Sequence, residues 1–378
     1  MSLTFYARGA VIMRIVGKNQ QKYKSLELTA KDFTVCFSGI TFFALFLKNS
    51  ALVSEYIKSG LSLCASVVIP AIFPYMVLSS FLINVGFERL TSGVVGRIFG
   101  NFFRIPSNAS AAIILGLLCG FPVGAVAAYK LYDKGGVDKD TLIRVLYLSS
   151  VASPAFLISG VGEGIWKSKM VGVALYIIQI VAMLIVGILT RGFYEKGDGR
   201  GTRVGKVQKS ISIASAISDS VSSSSVSMLK VCGFVLFFIS VGGVISASAE
   251  KLLLFSDIKA YAFGFLEMSS GVREIAVSAP VNIAFPVTAL FVGWSGLSVH
   301  FQIIAVGGDI RIGFFRYFAA KTAMSALSFL LAFIYLKIFP LEQISSQAFS
   351  PVFVNKGYSL FTLALVFIGS VKSLRKRA

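Results

Sequence analysis

Long apolar runs constrain this chain more than any other feature of its sequence. They lie at 33–47, 61–85, 107–131, 142–162, 169–190, 229–248, 258–276, 280–306, 314–337 and 357–371. A helix needs about 20 mostly apolar residues to cross a bilayer. The 378 residues are 56% hydrophobic and 14% charged, whereas roughly 25% of the residues in a soluble domain are charged. We therefore expect an all-α polytopic membrane protein.

The net charge of +19 does not indicate a nucleic-acid-binding protein. The basic residues form short tracts between apolar runs, where they fix topology and contact anionic lipid of the bilayer. No basic domain or stacking platform for nucleic acid is present. The four cysteines all lie in apolar runs without CxxC spacing, so we expect no metal, redox role or cofactor.

Charge predicts the topology. Residues 1–32 and 191–210 each carry six Lys/Arg against two acids, and 372–378 carry four against none. All three segments, and hence both termini, are expected to be cytoplasmic. The apolar runs form two groups of five on either side of 191–228. An even number of crossings between cytoplasmic segments requires one run in each group not to cross.

Two runs are interrupted where a re-entrant hairpin would turn. Run 107–131 contains Gly120, Pro122 and Gly124, and run 258–276 contains "EMSSG"; glycine and proline weaken a helix. A rival count instead drops the short runs 33–47 and 357–371, which makes the two halves parallel. The hairpin count is preferred because it accounts for the glycines.

With two hairpins the halves have matching parts in opposite orientation, which is the inverted repeat of many secondary transporters. "LGLLCGFPVG" aligns with "FGFLEMSSGV", pairing Gly116 with Gly264, and "SPAFLISGVG" aligns with "SVHFQIIAVGG", pairing Ser153 with Ser298. Tracts 50–60 and 210–228 occupy corresponding places at the start of the two halves. The serine-rich sequence "ISIASAISDSVSSSSVSMLK" is expected to form an interfacial helix. The predicted segments are an N-terminal segment with a first membrane helix (1–50), a first repeat (51–190), a linker (191–228), a second repeat (229–338) and a C-terminal helix with a basic tail (339–378).

The crossing run after each hairpin has its own break, "SSVASP" at 149–154 and "GWSGLS" at 293–298. Unwound backbone at membrane depth is tolerated where protein or a water-filled cavity covers it. Two tips and two broken helices are therefore expected to meet at one site, where helix N-termini and hydroxyls bind a small anionic solute. The candidate substrate-binding residues are Gly120, Pro122, Gly124, Ser149, Ser150, Ser153, Glu267, Ser269, Ser270, Gly271, Ser295 and Ser298.

Two titratable residues are candidates for ion coupling. Glu267 is a carboxylate in an apolar run, where ionisable side chains are costly and usually functional. His300, the only histidine, titrates near neutral pH in its unperturbed form. Alternative interpretations stay open: small residues permit close helix packing, Glu267 meets water at a shallow tip, and His300 is a structural hydrogen-bonding residue.

Nothing in the sequence indicates an enzyme. The chain lacks a GxxxxGK[ST] loop and an HExxH motif, and its spacing nominates no catalytic triad. A solute carrier is favoured over a non-transporting membrane scaffold or receptor. The oligomeric state is open, a homo-oligomer included.

Three tracts carry a family resemblance: "GLSLCASVVIPAIFPYMVLSSFLINVG" (60–86), "RIPSNASAAIILGLLCGFPVGA" (104–125) and "LYLSSVASPAFLISGVG" (146–162). With the Pro70/Pro74 pair and the small-residue break before Pro154, they resemble the sporulation integral membrane protein family of YlbJ type. "GFLEMSSG" and "GLSVHFQ" resemble the second half of that family, so the resemblance covers roughly residues 50–340. Cys119 departs from the small residue expected at the first tip.

The resemblance implies a nucleoside-recognition (gate) domain and a fold related to nucleoside transporters, with two hairpins and two broken helices. It also implies transport of dipicolinic acid, a small aromatic dianion, across the outer forespore membrane during sporulation. The expected function is therefore transport of a small anionic organic solute across the cell membrane or the outer forespore membrane. A nucleoside or another polar solute is the alternative substrate.

Overall fold

The computed structural model describes residues 30–87, 91, 93–133, 135–192, 212–251, 258–308, 310 and 312–339. Residue contacts divide the chain into two units, Met1–Ser50 and Ala51–Ala378. In the first unit, run 33–47 forms helix α1, Ala30–Lys48. Run 357–371 lies outside the described residues, as do both chain termini, so their cytoplasmic location stays a prediction.

The regular elements of the described residues are all helical. The first half contains α2 (Ser50–Leu63), a π-helical segment (Cys64–Val68), α3 (Ile69–Asn84), α4 (Val94–Phe103), α5 (Ser110–Cys119), α6 (Val123–Asp133), α7 (Lys139–Ser149), a second π-helical segment (Phe156–Ile165) and α8 (Lys169–Leu189). The second half contains α9 (Ile213–Lys251), α10 (Ile258–Leu266), α11 (Met268–Ser278), α12 (Val281–Trp294), α13 (Gly296–Gly307) and α14 (Phe314–Ile338).

Five stretches of these helices are long and apolar enough to cross a membrane, and this confirms the all-α polytopic class. They are Ser50–Asn84, Lys169–Gly192, Ile213–Ser248, Val281–Gly307 and Phe314–Ile338. Helix α4 joins the next apolar helix through a sharp bend, because Gly96–Phe103 and Ser107–Cys119 meet at 108°.

Helices α5 and α6 form the first hairpin. Gly120 follows the last residue of α5 and has a φ of +74°. This conformation suits glycine because a Cβ penalises the left-handed region. The two arms touch at glycines, since a Cβ on Gly124 would lie 2.8 Å from the Cα of Gly116. The apolar run 107–131 therefore folds back on itself, as the hairpin count predicts.

Helices α10 and α11 form the second hairpin, which turns at Glu267. Its arms also touch at glycines, because a Cβ on Gly271 would lie only 2.1 Å from the Cα of Gly264. An ion pair of 3.2 Å between Lys259 and Glu274 joins the same two arms. Gly116 and Gly264, which the sequence alignment pairs, thus hold the same place in the two hairpins.

Both predicted helix breaks are present. Helix α7 ends at Ser149, and the chain is not helical over 150–153 before the second π-helical segment. Helices α12 and α13 are separated by Ser295 alone, which has a φ of +77°. A left-handed conformation at a residue with a Cβ costs free energy, so the surrounding contacts must hold Ser295 in place.

The two broken helices run antiparallel. The start of α7 lies beside the start of α14, which follows the second broken helix, because Asp140 and Arg316 form an ion pair of 3.0 Å. The end of the first broken helix lies beside the start of the second, because the rings of Trp166 and Phe285 are 6.2 Å apart. Each half contains a hairpin, a broken helix and a final helix in the same order, and the two broken helices run in opposite directions. The two halves therefore form an inverted repeat.

The tract 211–230, predicted as an interfacial helix, is not a separate helix from Ile213 onward. Helix α9 is continuous over 39 residues from Ile213 to Lys251. Its serines pack against α3, where Ser80 and Ser223 are joined by a hydroxyl hydrogen bond of 3.1 Å. Packing against a neighbouring helix explains why a serine-rich tract continues as a membrane helix. Its counterpart in the first half is the stretch Ser50–Asn84.

Candidate functional site

The ammonium group of Lys321, on α14, joins the two helix breaks. It donates hydrogen bonds of 2.9 Å to the backbone oxygen of Ser150 and of 2.9 Å to the hydroxyl of Ser295. Only 1% of the residue is exposed. Lys321 thus links a break of the first half with a break of the second, and it is the one cation described at this contact.

Gln179, on α8, binds the first break from another side. Its side-chain oxygen accepts a 2.9 Å bond from the N–H of Ala152, and its side-chain nitrogen donates a 3.0 Å bond to the carbonyl of Ala152. Backbone groups in an unwound buried stretch have no helical partners and need such bonds. Gln179 therefore provides the hydrogen-bond acceptor and donor that neighbouring backbone groups would provide to Ala152 in a continuous helix.

The tip of the first hairpin lies against the first break. The N–H of Phe121 donates a 3.0 Å hydrogen bond to the carbonyl of Val151, and a Cβ on Gly120 would lie 2.7 Å from the nitrogen of Ser153. The peptide bond between Phe121 and Pro122 is cis. Tip and break are therefore in direct backbone contact, as the sequence predicted.

Close packing accounts for two more of the predicted residues. A Cβ on Gly116 would lie 2.1 Å from the carbonyl oxygen of Ser149, and one on Gly124 would lie 2.5 Å from the same oxygen. The glycines allow the hairpin to approach the broken helix backbone to backbone. Gly124 and Ser149 thus hold the tip against the broken helix, and a role of either residue in solute binding stays a prediction.

The tip of the second hairpin lies against the second break in the same way. A Cβ on Gly296 would lie 2.9 Å from the backbone nitrogen of Met268 and 3.4 Å from the Cα of Glu267. The φ of Gly296 is +77°. The two tips and two breaks consequently form one chain of contacts, with Lys321 at its centre.

The carboxylate of Glu267 does not face an open tip. It accepts hydrogen bonds from the backbone N–H groups of Ser269 (3.0 Å) and Ser270 (2.7 Å), and thereby caps the N-terminus of α11. The expectation that this helix end binds an anionic solute is therefore wrong for this conformation, because the protein's own carboxylate occupies it. An acidic cap is the usual partner of a helix N-terminus.

His300, on α13, lies in a cluster of aromatic rings from α12 and α14. Its Nδ1 is 3.0 Å from the hydroxyl of Tyr317, and its ring is 4.6 Å from that of Trp294. Ser298, one turn before Gln302, accepts a 3.2 Å bond from the Gln302 side chain. These contacts give His300 a structural role in the cluster; ion coupling by His300 or Glu267 stays a prediction.

The side-chain oxygen of Gln302 has no hydrogen-bond partner among the described residues, and the residue is 3% exposed. The hydroxyl of Ser150 faces the side chain of Tyr317, and the hydroxyl of Ser270 faces the carboxyl group of Glu267. Buried polar groups are nearly always satisfied, so the exception at Gln302 needs an explanation. A bound polar molecule or water would supply the missing partner.

Lys321 and Gln179 are not among the site residues predicted from the sequence. Both lie inside predicted spans, 314–337 and 169–190. A lysine within an apolar helix is a functional candidate on the same argument that favours Glu267. The sequence therefore contains a signal for Lys321, although the residue is not next to a predicted break or hairpin.

The fold and this site define an integral membrane protein with two inverted helical halves whose hairpin tips and helix breaks meet at a buried lysine. No family model and no solved structure matches the chain. The chain is similar to the sporulation integral membrane protein YlbJ of Bacillus subtilis (strain 168), with 22% identity over 299 residues, 71% of this chain and 73% of that protein. This similarity confirms the resemblance to sporulation integral membrane proteins of YlbJ type. The gate domain is not part of what it shows.

Proposed function

We propose that this protein transports a small anionic organic solute across a membrane, and that the solute binds where Lys321 joins the two helix breaks. One observation carries the proposal: a fully buried lysine connects Ser150 of one half with Ser295 of the other. A solute bound there touches both inverted halves. Its passage then follows from movement of one half against the other.

The surroundings of Lys321 favour an anion over a neutral solute. Its two acceptors, a carbonyl and a hydroxyl, are uncharged, and no ion pair between described residues includes it. A buried ammonium without an opposite charge is costly. An anionic group on the solute supplies that charge.

The burial of the site supports a carrier rather than an open channel. Ser150 and Ser295 are both 0% exposed, so this conformation closes the site from both sides. A carrier passes through such a closed state between its two open ones. The hairpin tips, which pack on the breaks through glycines, are the parts whose displacement would open a path.

Dipicolinic acid is the first solute to test. The YlbJ-type resemblance implies it, and one of its two carboxylates suits the single charge of Lys321. Membership in the sporulation machinery would place the protein in the outer forespore membrane, with the small solute and surrounding lipid as its partners.

The experiment is uptake into liposomes that contain the purified protein, with dipicolinate, benzoate, citrate and nucleosides as the panel. We expect uptake of dipicolinate or another anion. In Lys321→Gln, loss of a hydrogen bond to a charged group, about 1.5–3 kcal/mol, raises KM by roughly 10-fold to 150-fold. Lys337→Gln, at the exposed end of the same helix, is the matched control and should leave KM unchanged.

Other results would favour other functions. Uptake of nucleosides without anions would favour the nucleoside alternative and remove Lys321 as an anion ligand. A folded protein that moves no solute of the panel would favour a membrane scaffold or receptor. Unchanged uptake of anions by Lys321→Gln would contradict the proposed site, although not transport itself.

A further inference from the structure

In each half, the final helix sends one buried polar side chain into the break of the broken helix before it. Gln179 on α8 binds Ala152, which lies 27 residues earlier in the chain, and Lys321 on α14 binds Ser295, which lies 26 residues earlier. Both side chains are at most 4% exposed. The inverted repeat thus places an amide and an ammonium at equivalent positions.

The two side chains differ in what they leave free. The amide of Gln179 uses its oxygen and its nitrogen on the two backbone groups of the same residue, Ala152. Lys321 has three N–H donors and uses two of them on Ser150 and Ser295. Gln179 is therefore a clamp on the backbone, whereas Lys321 retains a donor and a positive charge for a ligand.

The clamp lies next to the atoms that face the proposed ligand. Ala152 is two residues from Ser150, whose carbonyl binds Lys321. Between them, the carbonyl of Val151 accepts the hydrogen bond from Phe121 at the first hairpin tip. By fixing Ala152, Gln179 fixes the direction of both neighbouring carbonyls, one toward the tip and one toward the lysine.

We propose that Gln179 is the positioning residue of the anion site and the neutral equivalent of Lys321. Gln179 holds the first break so that Ser150 faces Lys321, and the site recognises one anionic group because only one of the two equivalent positions carries a lysine. The inference rests on the proposed function and specifies the charge of the solute that the site recognises.

The test measures the Kd of the purified full-length protein for dipicolinate and for benzoate, a monoanion. Gln179→Leu removes both clamp bonds and is expected to weaken binding of either probe at least 10-fold. Tyr176→Phe is the matched control on the same helix, because the Tyr176 hydroxyl binds the carbonyl of Leu117 rather than the break. It should leave both Kd values unchanged.

A double-mutant cycle provides a readout that a structural role alone would not move. Lys321→Gln is expected to weaken binding at least 10-fold, and the double variant Gln179→Leu with Lys321→Gln is expected to bind within about 2-fold of Lys321→Gln, because the clamp acts through the lysine. If Gln179→Leu does not fold, Gln179→Glu keeps an acceptor for the N–H of Ala152. Its added negative charge near the lysine is expected to weaken anion binding at least 10-fold.

The outcomes separate the two proposals. Binding by the native protein, with a loss in this double variant that equals the product of the two single losses, overturns the action of Gln179 through Lys321. Native affinity in Gln179→Leu or Gln179→Glu overturns the positioning role. A folded native protein that binds neither probe overturns the anion site together with this inference.

Discussion

Substitution of Gly271 by alanine tests whether the second hairpin depends on direct backbone contact. Gly271 begins the second turn of α11 and touches the other arm at Gly264. An added Cβ would lie 2.1 Å from the Cα and 2.3 Å from the nitrogen of Gly264. Both contacts are with backbone atoms, so no side-chain rotation relieves them, and the arms have to separate.

The size of the effect follows from these distances. Carbon atoms pack at about 3.5–4.0 Å, so the arms must move apart by about 1.4 Å. Overpacking of this kind costs about 1–3 kcal/mol or more, against a gain of up to about 1 kcal/mol from the helix propensity of alanine. We expect a net loss of about 1–2 kcal/mol in the free energy of unfolding and a Tm lower by about 1–3 °C.

Tryptophan fluorescence during thermal unfolding is a suitable assay, because the indole N–H of Trp294 donates a 3.1 Å bond to the carbonyl of Phe265 on this hairpin. Gly233→Ala on α9 is the control, since nothing lies within 4 Å of a Cβ at that position. Its Tm should stay unchanged or rise slightly. If Gly271→Ala unfolds at the same temperature as Gly233→Ala, the glycine contact does not hold the hairpin.

Four further substitutions test the cap of α11, the topology and the contact between α7 and the end of α4. Glu267→Ala removes both capping bonds of α11 and should lower the free energy of unfolding by about 0.5–2 kcal/mol; if Glu267→Gln loses uptake while keeping most of that stability, the charge acts in coupling beyond the cap. In a variant whose four native cysteines are replaced by serine, Lys139→Cys, at the exposed start of α7, should react with an impermeant thiol reagent from the cytoplasmic side only, and labelling from the other side would contradict the hairpin topology. Arg144→Met should destabilise the fold by about 3 kcal/mol or more, measured as a lower Tm, because the guanidinium binds the backbone oxygens of Phe103 and Arg104; a native Tm would show that these bonds are dispensable.

Local chemistry explains why the hairpins and breaks were predictable from the sequence. Glycine at 120 and 124 interrupts an apolar run at the place where the chain turns, and the left-handed φ of Gly120 is a constraint of the residue type itself. Proline at 154 likewise follows the first break. Such residues indicate where a helix ends independently of tertiary contacts.

The helix α9 shows where local chemistry was insufficient. Serines at 220–225 resemble a polar interfacial tract when only their own segment is considered. In the structure, α3 supplies packing partners and Asn84 donates a 3.1 Å bond to the hydroxyl of Ser220. Those partners are 136 residues away in the chain, so the decision between an interfacial and a packed helix depended on tertiary contacts.

The meeting of the breaks and tips was predictable, whereas the ionisable residue that connects the two breaks was not. The breaks and tips meet as expected, but Glu267, the ionisable residue selected from the sequence, is already bound by the helix end that follows it. Lys321 is the ionisable residue that connects the halves, and its role depends on which helix passes between two breaks. Periodicity and composition do not specify that neighbour. An inverted repeat narrows the problem, because it directs attention to equivalent positions on the two final helices, where one carries an amide that satisfies its own break and the other carries a charge that its break does not neutralise.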